Sequence, residues 1–293
     1  MRTLFFAAAL AGTLLSSCSE AQTNTSESKQ EKSGKKKGKK GGKGADIANL
    51  TQVGSMSGVP ESSGLALTGE NNTFFTHGDD GTQPILYKIS TTGKTLAQLD
   101  IPVRSHDWES ITRDTNGHVY IGDVGNNNNS RQDLVIYRLN PANVQQVQEI
   151  HLKYPDQQEF PPAKEERNFD CEATLWYAGK VYLFTKDRGQ EQTSKVYSVP
   201  DQPGTYNAQL VTKLAIPGAV TDAALSPDGR RLVLLARQEM FVLEGNSLPD
   251  LLKAAPRQIS LKGAGQTEGA VFTDNNTLYI SSEQGALYTY SFQ

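Results

Sequence analysis

The strongest constraint on the fold is a pattern that occurs five times after residue 60. Each copy opens with a short segment whose third residue is polar and is followed by a small residue. The five openings are ESSGLA (61–66), DWESIT (107–112), DCEATL (170–175), VTDAAL (220–225) and QTEGAV (266–271). Self-similarity at a regular period indicates that one supersecondary unit is repeated.

Further runs that are typical of β-strands follow each opening, separated by turn signals such as DTNG and SPDG. The second runs are FFTH, VYIG, VYLF, LVLL and LYIS. The third runs carry an aromatic residue at their second position, namely Tyr87, Tyr137, Tyr197, Phe241 and Tyr288. Fourth runs follow in four copies: TLAQLDI, VQEIHLKY, AQLVTKLAI and RQISL. A four-stranded unit repeated at about 40–50 residues predicts an all-β protein, a five-bladed β-propeller over residues 46–293.

The fifth copy reaches Gln293 without its fourth run, and a spare strand-like run, Ala48–Ser55, precedes the first copy. We expect this N-terminal strand to complete the last blade, because pairing it there closes the ring and removes two free sheet edges. A two-sheet sandwich is the alternative. It would explain the hairpins but not the five matched openings.

The first residues have the pattern of an export signal. Arg2 is followed by an apolar run, Leu4–Leu15, which is too short to span a bilayer. The tetrad LSSC ending at Cys18 resembles a lipobox, so we expect residues 1–17 to be a lipoprotein signal peptide and Cys18 to be acylated, which would make the lipid membrane a partner. The alternative is an ordinary signal peptide with an incidental cysteine. Cys171 is then the one remaining thiol of the sequence, and we expect it in the core.

Residues 18–45 are predicted to be a flexible tether, because Lys, Gly and Ser dominate and almost nothing is apolar. Lipid anchoring predicts a protein of the cell envelope, held at a bacterial membrane for which the outer membrane is favoured. Charge is unevenly distributed along the chain, since residues 46–293 contain 20 basic and 29 acidic side chains. An acidic globular part disfavours nucleic acid as a partner. We expect a monomer whose ligand is a small molecule or another envelope protein.

Polar residues of the repeats should converge in a propeller, because the innermost strands of all blades begin around one channel mouth. The third residues of the openings form the first set: Ser63, Glu109, Glu172, Asp222 and Glu268. Residues two positions earlier, together with the loops between second and third strands, supply the other candidates: Glu61, Asp107, Asp170, His77, Asp79, Asp123, Asn126, Lys186, Arg237 and Glu283.

Several carboxylates at one mouth repel one another, so they need raised pKa values, basic partners or a bound cation. Oxygen ligands without a His or Cys cluster favour a hard divalent cation, above all calcium. The alternative is structural: the acids pair with basic residues such as Lys186, Arg188 and Arg237, or they cap backbone amides. The sequence leaves these two interpretations open.

Segments such as GVPESSGLA, HDWESIT, NFDCEAT and TEGAVF resemble a group of exported Bacteroidota β-propeller proteins related to the SdiA-regulated and phytase-like families. The resemblance covers residues 57–293 and implies the propeller fold. Similar propellers of the gluconolactonase type hold a divalent metal with carboxylates at the channel mouth. This likeness implies a metal-binding role for Glu109, Glu172, Asp222 and Glu268, although Ser63 stands where the first blade would supply an acid.

Two functions follow from these patterns. The first is a lipid-anchored binding propeller whose acidic mouth takes a divalent cation, a ligand or a partner protein. The second is a metal-dependent hydrolase of a phosphoester, lactone or ester, in which Asp107, Asp170 or His77 would be the general base. Whether the protein is an enzyme is left open, and the sequence favours binding.

Overall fold

The computed structural model describes residues 49–79, 81–217 and 219–293, all within a compact unit that spans Lys43–Gln293. The predicted signal peptide (residues 1–17), Cys18 and the tether up to residue 45 lie outside the described residues. In the described ranges, no helix has the length and apolar character needed to cross a membrane.

The described residues form twenty-one strands that are grouped in five sheets. The first strand is β1 (Leu50–Ser55). The first repeat contains β2 (Ser62–Leu67), β3 (Thr73–Gly78), β4 (Ile85–Ser90) and β5 (Thr95–Asp100). The second contains β6 (Trp108–Arg113), β7 (Val119–Asp123), β8 (Val135–Asn140) and β9 (Asn143–Lys153). The third contains β10 (Asp170–Tyr177), β11 (Lys180–Lys186), β12 (Ser194–Pro200), β13 (Gly204–Asn207) and β14 (Gln209–Leu214). The fourth contains β15 (Val220–Leu225), β16 (Arg231–Ala236), β17 (Glu239–Glu244) and β18 (Arg257–Ser260), with a short helix, α1 (Leu248–Leu251), before β18. The fifth contains β19 (Thr267–Phe272), β20 (Thr277–Ser282) and β21 (Ala286–Ser291).

Each repeat is one antiparallel blade, and the innermost strands β2, β6, β10, β15 and β19 contact one another in a closed ring. The five-bladed propeller predicted from the repeats is therefore confirmed. The fifth blade has the order β1-β21-β20-β19, so the N-terminal strand completes it as predicted. One pairing was not predicted: β13 leaves the third blade and pairs in parallel with β9, which adds a fifth strand to the second blade.

Apolar side chains fill the spaces between neighbouring blades, in five separate clusters. Phe74 and Phe75 illustrate the arrangement, since successive residues of a strand face opposite sides. Phe74 packs toward the fifth blade, where its ring lies 4.8 Å from that of Tyr279, and Phe75 packs toward the second blade. Middle strands are buried on both faces, which is why they read as nearly continuous apolar runs. Cys171 is fully buried in such a cluster, as predicted.

Candidate functional site

The three glutamates of the predicted ring occupy one special backbone position. Glu109 lies between the register pairs Trp108–Asp123 and Ser110–Gly122, so it has no residue opposite it in the neighbouring strand. Glu172 and Glu268 lie at the corresponding shifts of β10 and β19. Such a β-bulge turns one side chain out of the regular alternation. The same device therefore directs all three glutamates at the start of their inner strands.

The first and fourth blades depart from this rule by one position. In β15 the extra residue is Thr221, and Asp222 is paired with Leu235. In β2 Ser63 is paired with His77, and the extra residue follows it. A shift by one residue turns a side chain to the other face of a strand. The five third residues that match in sequence therefore do not occupy equivalent backbone positions in the structure.

A group of three carboxylates lies at the junction of the first and second blades. Asp79 follows β3, Asp107 precedes β6, and Glu109 is the bulged residue of β6. One oxygen from each lies within 4.8 Å of the others. Burial, followed by the nearby carboxylates of Glu172 and Asp79, raises the pKa of Glu109 well above its usual range. Among the described residues, this is the group whose spacing suits a shared metal ion.

Basic side chains form ion pairs with the acidic residues of the third blade. Lys186 Nζ lies 2.5 Å from Glu172, and the Arg188 guanidinium donates to Asp170 at 2.6 Å and to Glu172 at 2.8 Å. Burial and the Asp170 carboxylate raise the pKa of Glu172, while the Lys186 and Arg188 cations oppose that rise. The ion pairs of the structural alternative are therefore present for Asp170 and Glu172, whereas Asp79, Asp107 and Glu109 form the group with metal-ligand spacing.

Asp222 and Glu268 have different surroundings from the carboxylate group. Both oxygens of Asp222 accept backbone hydrogen bonds, from the amides of Ala223 at 2.8 Å and Ala270 at 2.7 Å. Glu268 is 9% exposed, and burial is the main cause that raises its pKa to about 7. The geometry gives metal-ligand spacing to Glu109 alone of the four predicted ligands. The metal role of Glu172, Asp222 and Glu268 stays a prediction.

Two of the predicted ligand-binding residues organise the loops around the mouth. Asp123 is 1% exposed and accepts hydrogen bonds from the amides of His106 and Asp107 and from the Arg131 guanidinium. The backbone amide of Asn126 donates to Asp170 at 2.6 Å. These contacts hold the two loops in position. The ion pair between Arg131 and Asp123 was not predicted, because the two residues are eight positions apart in the chain.

His77 lies at the contact between the first two blades. Its side chain is fully buried between the first two blades, where its ring meets that of Trp108 edge-on at a centroid distance of 5.6 Å. Burial lowers the pKa of His77 to about 4. The side chain has no solvent exposure, and the role of His77 as a ligand-binding residue and general base stays a prediction.

The remaining candidates lie at or near the rim. Ser63 donates from its hydroxyl to the backbone carbonyl of Glu109 at 3.0 Å, which ties the first two blades together. The carbonyl of Glu61 accepts from the amide of Asp79. Glu283 is half-buried beside Glu268, and Arg237 is exposed. A ligand-binding role for these four residues stays a prediction.

Three comparisons bear on the identity of the chain. No curated protein matches it. Among solved structures, virginiamycin B lyase from Staphylococcus aureus superimposes with a TM-score of 0.42 at 13% identity, over 79% of this chain. The chain spans 66% of that lyase, slightly less than two thirds of its length.

Two further solved structures have similar scores. XC5397 from Xanthomonas campestris, a gluconolactonase, has a TM-score of 0.47 at 12% identity and covers 83% of this chain and 89% of its own. Regucalcin from Agrobacterium tumefaciens, a calcium-binding protein, has a TM-score of 0.44 at 12% identity, over 76% and 68% of the two chains. Similarities this low do not identify a ligand.

The sequence profile of one family matches nearly the whole propeller. Its description is SdiA-regulated, and the match runs over residues 49–292. It starts one residue before β1 and ends one residue after β21. The matched range therefore takes in all five blades and the strand that closes them. The chain belongs to the SdiA-regulated family.

Proposed function

We propose that the protein is a binding propeller whose acidic mouth takes a divalent cation, calcium, through Asp79, Asp107 and Glu109. The observation that carries the proposal is the 4.8 Å grouping of one oxygen from each of these carboxylates. Calcium accepts six to eight oxygen ligands and tolerates irregular geometry, so three carboxylates with water would complete its shell. Burial is the first cause that raises the pKa of Glu109, and the cation would offset the second, the repulsion by neighbouring carboxylates.

A calcium titration tests the proposal. Binding to the folded state alone should raise the melting temperature by about 5–10 °C at a hundredfold excess over the dissociation constant, relative to protein in chelator. Terbium, which substitutes for calcium, gives a second readout, because Trp108 adjoins both Asp107 and Glu109 and its indole can sensitise the ion's luminescence.

Glu109→Gln and Asp107→Asn remove one charge each and should abolish both signals. Glu149→Gln is the matched control, because Glu149 is exposed on β9 and does not belong to the carboxylate group, and this variant should behave like the parent protein. Equal melting temperatures in calcium and in chelator would contradict the proposal.

Hydrolysis assisted by the same cation is the second candidate. Two observations favour it: the Lys186 and Arg188 cations lie beside the mouth, where they would stabilise an anionic substrate, and the pKa of Glu268 is about 7, which suits proton transfer near neutral pH. Chromogenic esters, lactones and phosphates provide the assay. Turnover that is lost in both Glu109→Gln and Glu172→Gln would make the protein an enzyme, and cation binding without turnover would leave it a binding protein.

The envelope location is part of the proposal and rests on the sequence pattern that ends at Cys18. An acyl chain there would hold the propeller at a membrane through residues 18–45. Metabolic labelling with an alkyne analogue of palmitate tests it. We expect label in the parent protein and none in Cys18→Ser, and equal labelling of the two would contradict the anchor.

A further inference from the structure

A second cavity lies at the opposite end of the inner strands from the acidic mouth. Its volume is about 330 Å³, and all five blades contribute to its walls. The wall residues are largely apolar and include Leu67, Ile111, Trp176, Leu225, Val271 and Phe272. They come from the later residues of the inner strands, whereas the mouth acids come from the first residues of the same strands. A volume of this size lies at the lower end of the range for small-molecule sites.

The inner strands approach closely between the two sites. A Cβ atom built on Gly269 would lie 2.8 Å from the carbonyl carbon of Gly64, so the backbones of the first and fifth blades are in contact there. The bond from the amide of Ala270 to Asp222 joins the fourth and fifth blades at the same level. The inner strands of neighbouring blades therefore pack directly on one another at the level where the cavity wall begins.

One cation lines this cavity. Arg113 is half-buried at the end of β6, and its Nε atom is buried without a hydrogen-bond partner among the described residues. Its guanidinium lies against two turns that are kept free of side chains, since a Cβ on Gly69 would lie 2.6 Å from Nη2 and one on Gly117 would lie 3.2 Å from it. The adjacent acid, Asp114, does not neutralise it.

The Asp114 carboxylate accepts hydrogen bonds from groups other than Arg113. Its Oδ1 accepts from the amides of Asn116 and His118, and its Oδ2 lies 2.9 Å from the His118 ring and 3.1 Å from the Tyr120 hydroxyl. The pKa of Asp114 is lowered by these His118 and Tyr120 contacts, although burial acts in the opposite direction. Arg113 thus brings a positive charge to an apolar cavity and forms no ion pair with the described side chains.

We propose that this cavity binds a small amphipathic carboxylate, with the carboxylate on the Arg113 guanidinium and the apolar body against Trp176 and the aliphatic side chains. The charge of Arg113 matches an anion, and its forked donors match the two oxygens of a carboxylate. Removal of the apolar body from water supplies the remaining affinity. The site does not depend on cation binding at the mouth.

Quenching of tryptophan fluorescence by an ω-brominated decanoate tests the proposal. Bromine quenches an indole that it contacts, and Trp176 is half-buried in the cavity wall whereas Trp108 is fully buried elsewhere. We expect saturable quenching in the parent protein. The corresponding brominated decanol, which has no charge, should bind more weakly.

Two variants separate the charge from the cavity. Arg113→Gln should weaken decanoate binding by about tenfold and leave decanol binding unchanged, because it removes charge-assisted hydrogen bonds alone. Val271→Phe should abolish binding of both compounds, since a half-buried wall residue becomes larger and fills the space. Arg257→Gln, on the exposed strand β18, is the matched control and should bind like the parent. Circular dichroism and melting temperature verify that each variant is folded.

Three results would overturn the proposal: no saturable quenching in the parent protein, decanoate binding that is equal in the parent and Arg113→Gln, or decanol binding as tight as decanoate binding. The last result would make the cavity a site for neutral apolar molecules. None of these outcomes depends on calcium, so the test is independent of the proposed function of the mouth.

Discussion

Asp222 in the fourth blade accepts a hydrogen bond of 2.7 Å from the backbone amide of Ala270 in the fifth blade. The carboxylate is 1% exposed, and its second oxygen accepts from the amide of Ala223. Two amides near the channel would lose their acceptors without it, so the side chain joins the two blades.

Asp222→Ala should therefore lower the free energy of unfolding by about 2–4 kcal/mol, because it leaves buried backbone amides unsatisfied. Chemical denaturation measures the change. Calcium should still raise the melting temperature of the variant, as it does in the parent. Loss of the calcium effect in a variant that remains folded would make Asp222 a ligand and would contradict its structural role.

Lys186 provides a test of the balance between cations and carboxylates at the mouth. Lys186→Met removes the charge that lies 2.5 Å from Glu172, a side chain that is 4% exposed. A buried carboxylate without this partner should destabilise the protein by about 3 kcal/mol. At a pH where Glu172 is ionised, the mouth then carries one more uncompensated negative charge, so calcium should raise the melting temperature more in this variant than in the parent.

Scanning calorimetry with and without calcium measures both effects. Lys180→Met is the matched control, because Lys180 begins β11 at the end away from the mouth. It should change neither the stability nor the calcium response. A smaller calcium effect in Lys186→Met than in the parent would argue against a cation at this mouth.

The pKa of Glu268 predicts how stability depends on pH. Burial raises this pKa from 4.5 to about 7, so between these values the folded state holds a proton that the unfolded state releases. The stabilising contribution of Glu268 is complete below pH 4.5 and is lost as the pH rises through 7. Glu109, Glu172 and Asp222 have raised pKa values and act in the same direction.

Glu268→Gln keeps a neutral side chain at every pH and should be more stable than the parent at pH 8, by up to about 3 kcal/mol. The two proteins should have similar stability at pH 4.5. Denaturation curves across this range in chelator measure the difference, with Glu159→Gln on an exposed loop as control. Parallel pH profiles for Glu268→Gln and the parent would contradict the assignment.

The repeats predicted the fold because strand runs and turn signals are local properties of the sequence. Five blades and the closing strand follow from counting them, and the structure confirms both. The directions of the side chains at the start of the inner strands could not be predicted in this way, because one bulge residue changes which face of the strand each following side chain points to. Asp222 matches Glu109 in the alignment of openings, yet Thr221 occupies the bulge in its blade.

Contacts between loops that are distant in the chain could not be predicted from the sequence either. Asp79 and Glu109 come together because the first two blades are neighbours, and no local pattern indicates which acids of a ring will share one site. No sequence pattern predicted the cavity around Arg113 either. Its wall residues come from the ends of five strands, and in the sequence they look like ordinary core residues.

The contact between the closing strand and the first blade gives the last prediction. Gly54 in β1 lies against the backbone of Thr92, where a Cβ atom would be 2.1 Å from the carbonyl oxygen. The amide of Ser55 donates to that same carbonyl at 3.2 Å. Gly54 therefore allows the strand that completes the fifth blade to pack on the first.

Gly54→Val should lower the melting temperature by about 5–10 °C, because its side chain would separate β1 from the first blade, at a cost of roughly 1–3 kcal/mol. Thr51→Val is the matched control: the residue is exposed in the same strand, valine favours β-structure, and we expect no loss of stability. Hydrogen exchange gives a second readout, since the amides of β21 that pair with β1 should lose protection in Gly54→Val and keep it in Thr51→Val. Unchanged protection of β21 in Gly54→Val would mean that closure of the ring does not depend on this contact.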